Sequence, residues 1–125
     1  MSRLAKGALI PPLLVGLLLT FQALFQPEAL SATLGGIKGT APHGEATIYA
    51  DFAALFLTFT IGVAAALLAD KRSWLWAPIS IFGFTAIFRI LHGVMNGFPP
   101  EAAQTIGIEL FCCALMFFAM RSKPT

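Results

Sequence analysis

The stretch Phe84-Thr85-Ala86-Ile87-Phe88-Arg89-Ile90-Leu91-His92-Gly93-Val94-Met95-Asn96-Gly97 decides how the rest of the chain is read. It puts an arginine inside an apolar run. Between Arg72 and Glu101 lie 28 residues, and Arg89 is their one charge. A membrane-spanning helix needs about 20 apolar residues. An arginine near the middle of such a helix costs about 2.5–3.5 kcal/mol on insertion scales. The run therefore predicts a membrane helix that must bring its arginine to a partner.

The composition agrees. The chain has 125 residues, 58% of them hydrophobic and 11% charged. Soluble domains carry about 25% charged residues. A chain so poor in charge cannot cover a water-facing surface, so residues 1–125 are read as a single integral membrane domain. The net charge is only +2, and the basic residues sit at segment ends instead of forming a patch, which excludes a nucleic-acid partner. Cys112 and Cys113 are adjacent, with Cα atoms about 3.8 Å apart, closer than an ordinary disulfide allows. No C-x-x-C or Cys…His spacing accompanies them, so they are read as packing residues.

Three more spans flank the opening stretch. Gly7 to Pro27 is 21 residues without charge, and Pro11-Pro12 places a helix start or a kink near residue 10. A basic start before an apolar middle also fits a cleaved signal peptide, but Leu30-Ser31-Ala32 makes a poor cleavage site, and an uncleaved first helix is expected. Phe52 to Ala69 is 18 uncharged residues. Within this helix Asp51, Ala54, Thr58, Gly62 and Ala65 recur at helical spacing, a small and polar stripe of the kind that lets helices approach closely in lipid. After Asn96-Gly97-Phe98-Pro99-Pro100, a last helix carries Glu101, Thr105, Glu109, Cys112 and Met116 on one stripe. The expected helices are residues 8–26, 46–69, 74–95 and 100–120. Pro27 to Leu34 reads as a short helix ended by Gly35-Gly36, lying on the membrane surface. Lys38 to Gly44, with His43, reads as a loop. The fold expected is all-α, a four-helix transmembrane bundle with a short interfacial helix in the first outer loop.

Loop charges orient this bundle. Arg3, Lys6, Lys71, Arg72, Arg121 and Lys123 fall on one side and Lys38 on the other. The positive-inside rule then places both termini in the cytoplasm, in a multi-pass protein of the plasma (inner) membrane.

Depth gathers the remaining charges. Arg89 lies five residues from its helix end, about 8 Å deep at 1.5 Å per residue. Asp51 and Glu109 fall at similar depth on neighbouring helices. His92 and Asn96 follow Arg89 at one-turn steps toward the outer surface. Arginine can hold two carboxylates with its planar fork, so Arg89 is expected to face inward onto Glu109 or Asp51. Two carboxylates against one arginine leave a negative charge, which a protonated His92 or a protonated carboxyl would neutralise. The cluster is thus a candidate proton-holding or binding site. It is equally a candidate for a purely structural ion pair that sets helix register. His92 alone lacks a second ligand at clear spacing, so no metal is expected, and nothing implies a cofactor.

The run Gly44-Glu45-Ala46-Thr47-Ile48-Tyr49-Ala50-Asp51-Phe52, followed by Arg89, Gly97 and Glu109, resembles the small bacterial four-helix membrane family called domain of unknown function 4345. The Pro27–Gly35 segment is similar as well, so the resemblance spans nearly the whole chain. Members often carry Gly-Gly after the acidic or tyrosine position, where this chain has Phe52-Ala53-Ala54, and Arg where it has Tyr49. The family in turn resembles the DoxX-like membrane proteins. The resemblance implies four helices and marks Glu45, Arg89 and Glu109; it implies no activity.

No nucleophile stands beside a partner base, which weighs against an enzyme. The expected function is a non-catalytic accessory or assembly module, with the lipid bilayer, further copies of the chain or a larger membrane complex as partners. The alternative is a binding or transport module, with an outer-leaflet pocket at Arg89, Glu109, Asp51 and His92 for a lipid headgroup, a quinone, a small polar ligand or a proton. A structural cluster would be closed and fully paired; a binding cluster would border a cavity.

Overall fold

A computed structural model describes residues 1–123. Among them the protein is all-helical, without a strand. Helix α1 runs from Arg3 to Ala8 and α2 from Ile10 to Phe25. The Ser2 hydroxyl accepts the Ala5 N–H at 3.1 Å and caps α1. The break falls at Leu9, where Pro11 and Pro12 occupy the first turn of α2 and their missing N–H groups cost nothing. The first span therefore starts at Arg3, earlier than residue 8. Helix α3, Pro27–Thr33, has Pro27 and Glu28 in its first turn. It ends where Gly35 and Gly36 turn to φ +90° and +81°, a conformation that favours glycine, with the Gly36 N–H donating to the Ser31 carbonyl at 2.6 Å.

Helix α4 runs from Pro42 to Ala69. Pro42 sits in its first turn, so the proline read as part of a loop is a helix start, and His43, Gly44 and Glu45 are helical. At 28 residues α4 is about 42 Å long, against a hydrocarbon core of about 30 Å, so one end projects or the helix tilts. Asp70 adopts φ 56° to close it. A 3-10 turn over Arg72–Leu75 leads into α5, Trp76–Asn96, and α6 follows over Ala102–Arg121.

Helix α2 packs on α4, α4 on α5 and α5 on α6, while α1 closes the ring against α6. Four segments are long and apolar enough to cross a membrane: Arg3–Phe25, Pro42–Ala69, Arg72–Asn96 and Ala102–Arg121. Their outward surfaces carry Leu18, Phe21, Ile61, Ile87 and Phe111, all exposed, as lipid contact requires.

The interior is uneven. At the end that holds the 72–75 turn, Leu9, Phe59, Val63, Leu75 and Met116 are fully buried, and the Phe59 and Phe82 rings stack with centroids 4.1 Å apart. We call this the basic end. A smaller cluster of Ala23, Leu30 and Phe56 lies beneath α3. On α5 the buried positions Phe82 and Ala86 give way to half-buried or exposed residues until Gly93. The core thus thins toward the α3 end.

Close approach of the helices runs through different residues from those the stripe on α4 suggested. An added Cβ on Gly16 would stand 2.5 Å from Thr60 Oγ1, and one on Gly62 would stand 2.8 Å from the Pro78 ring. The Thr20 and Thr60 hydroxyls meet at 3.1 Å. Gly62 is therefore a true contact, but Asp51, Ala54 and Thr58 are exposed. The inward face of α4 is Phe56, Phe59, Thr60, Val63 and Ala66. Aromatic rings filling the interior opposite Gly16 displaced the small stripe outward.

Candidate functional site at the α3 end

Arg89 belongs to α5 and Glu109 to α6, two neighbouring antiparallel helices. The Arg89 Nε–H donates to Glu109 Oε1 at 2.9 Å. The two ends of this pair live in different surroundings. Glu109 is 7% exposed, and its other oxygen, Oε2, is buried without a hydrogen-bond partner among the described residues. The Arg89 side chain is 38% exposed. It lines an open cleft of about 950 Å³. Its Nη1 and Nη2 groups donate no hydrogen bond to any described residue.

The cleft lies between the C-terminal end of α3 with its glycine turn and the facing surfaces of α5 and α6. Thr85, Arg89 and His92 come from α5, spaced so that one helical face presents all of them. Thr105 comes from the first turn of α6, Glu101 immediately precedes that helix, and Thr33 comes from α3. Phe88, Leu34, Pro99 and Ala102 supply apolar wall. The site therefore combines a guanidinium, three hydroxyls, an imidazole and a carboxylate with apolar surface. The stripe Glu101-Thr105-Glu109-Cys112-Met116 runs from this cleft into the core, where Cys112 and Met116 are buried. Cys113 Sγ–H donates to the Ile79 carbonyl at 3.6 Å, a packing contact across α5 and α6, and both cysteines are free thiols.

Several expected members stand elsewhere. Asp51 is exposed, makes no ion pair or side-chain hydrogen bond with the described residues, and does not line the cleft. The expected three-helix cluster is thus a two-helix pair, and the expected surplus negative charge is not supplied by Asp51. Arg89 and Glu109 balance one another, and Glu101 is the additional carboxylate of the cleft. His92 is exposed on the cleft wall. Asn96 donates from Nδ2 to the His92 carbonyl at 3.2 Å and lies outside the lining. Glu45 is exposed, near the start of α4, with the Gly39 backbone packed close to its amide. Among the described residues no group of three His, Cys, Asp or Glu side chains could hold a metal ion.

Sequence reasoning missed the α3 wall. Thr33 to Gly36 were readable as a helix end, but nothing in the local pattern said which side of the bundle that end would lean on. No protein-family model, curated protein or solved structure matches the chain.

Proposed function

We propose that this protein is a membrane-embedded binding module whose cleft at the α3 end receives the polar head of an amphiphile, with Arg89 as the docking group. One observation carries this reading. Arg89 grips Glu109 with one edge of its guanidinium and turns the rest toward a cleft of about 950 Å³. A purely structural pair has no need of an open cavity. Arginine's fork suits a carboxylate, phosphate or carbonyl oxygen, while the Thr85 and Thr105 hydroxyls on the same walls donate to the Ile81 and Glu101 carbonyls and leave only acceptor lone pairs to the cleft. Glu109 fixes the guanidinium from behind, which reduces the entropy lost when a ligand docks. A lipid headgroup, a quinone or a small polar ligand all offer the required acceptor, and Glu109 Oε2 is a position where a proton could reside.

The same proposal places the chain in the plasma (inner) membrane with both termini in the cytoplasm, because six of its eight basic residues lie on one side. The α3 end then faces outward, with α3 in the interface. Kinship with the bacterial family named above is part of this reading. A second reading, assembly into an oligomer or larger complex, is favoured by the exposed Asp51, Ala54 and Thr58 on α4, an unpartnered small and polar face.

The test uses dodecyl phosphate and dodecyl maltoside with purified protein and Arg89→Gln. Native mass spectrometry should show the variant retaining one molecule of the phosphate amphiphile fewer than the wild type, with the maltoside bound alike by both. Equal retention by Arg89→Gln would remove Arg89 as the docking group.

A further inference from the structure

The opposite end of the bundle holds a second feature, independent of the cleft. Arg72, Ser73 and Trp76 from the 3-10 turn and the start of α5 meet Phe117, Met120 and Arg121 from the end of α6. Together they line an open notch of about 390 Å³. Each arginine is held in place. Arg72 donates from Nη1 to the Met120 carbonyl at 3.5 Å, among the carbonyls that a helix C-terminus leaves unpaired. The Arg121 guanidinium stands 5.1 Å over the Phe117 ring centroid. Neither forms an ion pair with a carboxylate among the described residues.

The surrounding charge is strongly basic. Arg3, Lys6, Lys71 and Lys123 belong to the same end, and Asp70 is its one acidic side chain among the described residues. The Asp70 carboxylate is already engaged by the Met1 amino group. That hydrogen bond, and then the nearby Lys6 and Arg72, hold its carboxyl below the ordinary range despite some desolvation. Little negative charge is left to neutralise the two arginines.

We infer that the Arg72–Arg121 notch binds the phosphate of an anionic phospholipid. Two guanidinium forks and the Ser73 hydroxyl match a phosphodiester's oxygens. Trp76 and Phe117 are both exposed on the outer surface of helices long enough to cross a membrane; the amphipathic Trp76 ring suits the headgroup level, and the apolar Phe117 ring can border an acyl chain. A free phosphate would use the arginines but not these apolar walls. Basic pockets between helices are a known way of holding anionic lipid headgroups.

The experiment compares full-length protein with Arg72→Gln/Arg121→Gln, both carrying Arg89→Gln so that the cleft at the α3 end contributes nothing. Native mass spectrometry measures retained phosphatidylglycerol and phosphatidylcholine of matched chains. Loss of two arginines should weaken phosphatidylglycerol about thirty-fold and phosphatidylcholine less, because its choline already balances the phosphate charge. Arg72→Lys/Arg121→Lys, which keeps charge without the fork, should fall between. If the double glutamine variant loses its helical circular dichroism, the single variants replace it, each expected to weaken binding about five-fold. Equal phosphatidylglycerol retention in the variants, or retention of phosphatidylcholine by the Arg89→Gln reference as strong as that of phosphatidylglycerol, would overturn the assignment. Release of phosphatidylglycerol by millimolar inorganic phosphate would reassign the notch to free phosphate.

Discussion

Removing either partner of the Arg89–Glu109 pair should have unequal consequences. Arg89→Leu strands Glu109, a side chain 7% exposed whose Oε2 already lacks a partner. Breaking a buried pair in this direction costs about 3–5 kcal/mol. Arg89 is 38% exposed, so part of its attraction is screened, and the lower figure of about 3 kcal/mol applies. Glu109→Leu strands Arg89 instead, but that side chain borders an open cleft and can turn into it. The loss is then one charge-assisted hydrogen bond, and the orphaned Oε2 disappears with the carboxylate. These nearly offset, leaving about 1 kcal/mol or less. The double variant Arg89→Leu/Glu109→Leu should resemble Glu109→Leu, because no buried charge remains unpaired. Reversible unfolding in mixed micelles, followed by circular dichroism against the mole fraction of dodecyl sulfate, measures all three. Equal destabilisation by the two single variants, or a double variant as unstable as their sum, would refute the placement of Arg89 at an open cavity.

The interior makes further predictions. Gly16→Val should destabilise by about 1–3 kcal/mol in the same unfolding assay, because the new atoms collide with Thr60 Oγ1 and the Phe59 ring. Phe82→Ala should cost about 2 kcal/mol by losing the stacked contact with Phe59. That is less than in a soluble core, since lipid is no less apolar than the interior and the penalty is lost packing. Asp51→Asn should change stability by no more than about 0.5 kcal/mol, since Asp51 is exposed and unpaired among the described residues. Its effect should instead be read in the oligomeric state by native mass spectrometry, where the assembly reading expects a shift toward monomer.

The residues that declared themselves in the sequence were those whose placement in lipid has few solutions. Long uncharged runs read as spanning helices, and among the described residues four helices are long and apolar enough to cross a membrane. A cation in one of those runs must find a carboxylate, and Arg89 finds Glu109. Choosing between Glu109 and Asp51 was a matter of helix rotation, which sequence specifies weakly here. In water the apolar face of a helix marks its interior side. In lipid both faces of α4 are apolar, so the stripe through Asp51 and the stripe through Phe59 were equally eligible. The decision lay in shape: Gly16 opens a space that the Phe59 ring fills. The start of α4 was missed for a different reason, since Pro42 reads as a breaker unless it is taken as the first helical residue. The α3 wall of the cleft was out of reach because it is set by how a short helix leans on the bundle, which no local pattern encodes.

The two ends of the bundle divide the labour that a single buried charge would otherwise have to share. At the basic end the interior is dry, with Leu9, Val63, Leu75 and Met116 fully buried, and the charges stay on the rim. An arginine inserted there would have no water and no carboxylate. At the α3 end the α5 interior face ceases to be sealed after Ala86, and the next inward residue of that face is Arg89. Its position three residues on is what allows it to serve two neighbours at once, the carboxylate on α6 and the open cleft. One turn deeper, at Thr85, the same side chain would still border the cleft but would approach the Phe82 layer and stand a turn away from Glu109. One turn further out, at His92, it would be solvated and have no need of Glu109. The depth of Arg89 thus matches a group that is held by the protein and offered to a ligand, which is why the exchange Thr85→Arg/Arg89→Thr, which leaves the arginine unheld by Glu109, should weaken retention of dodecyl phosphate at the cleft even if the protein folds.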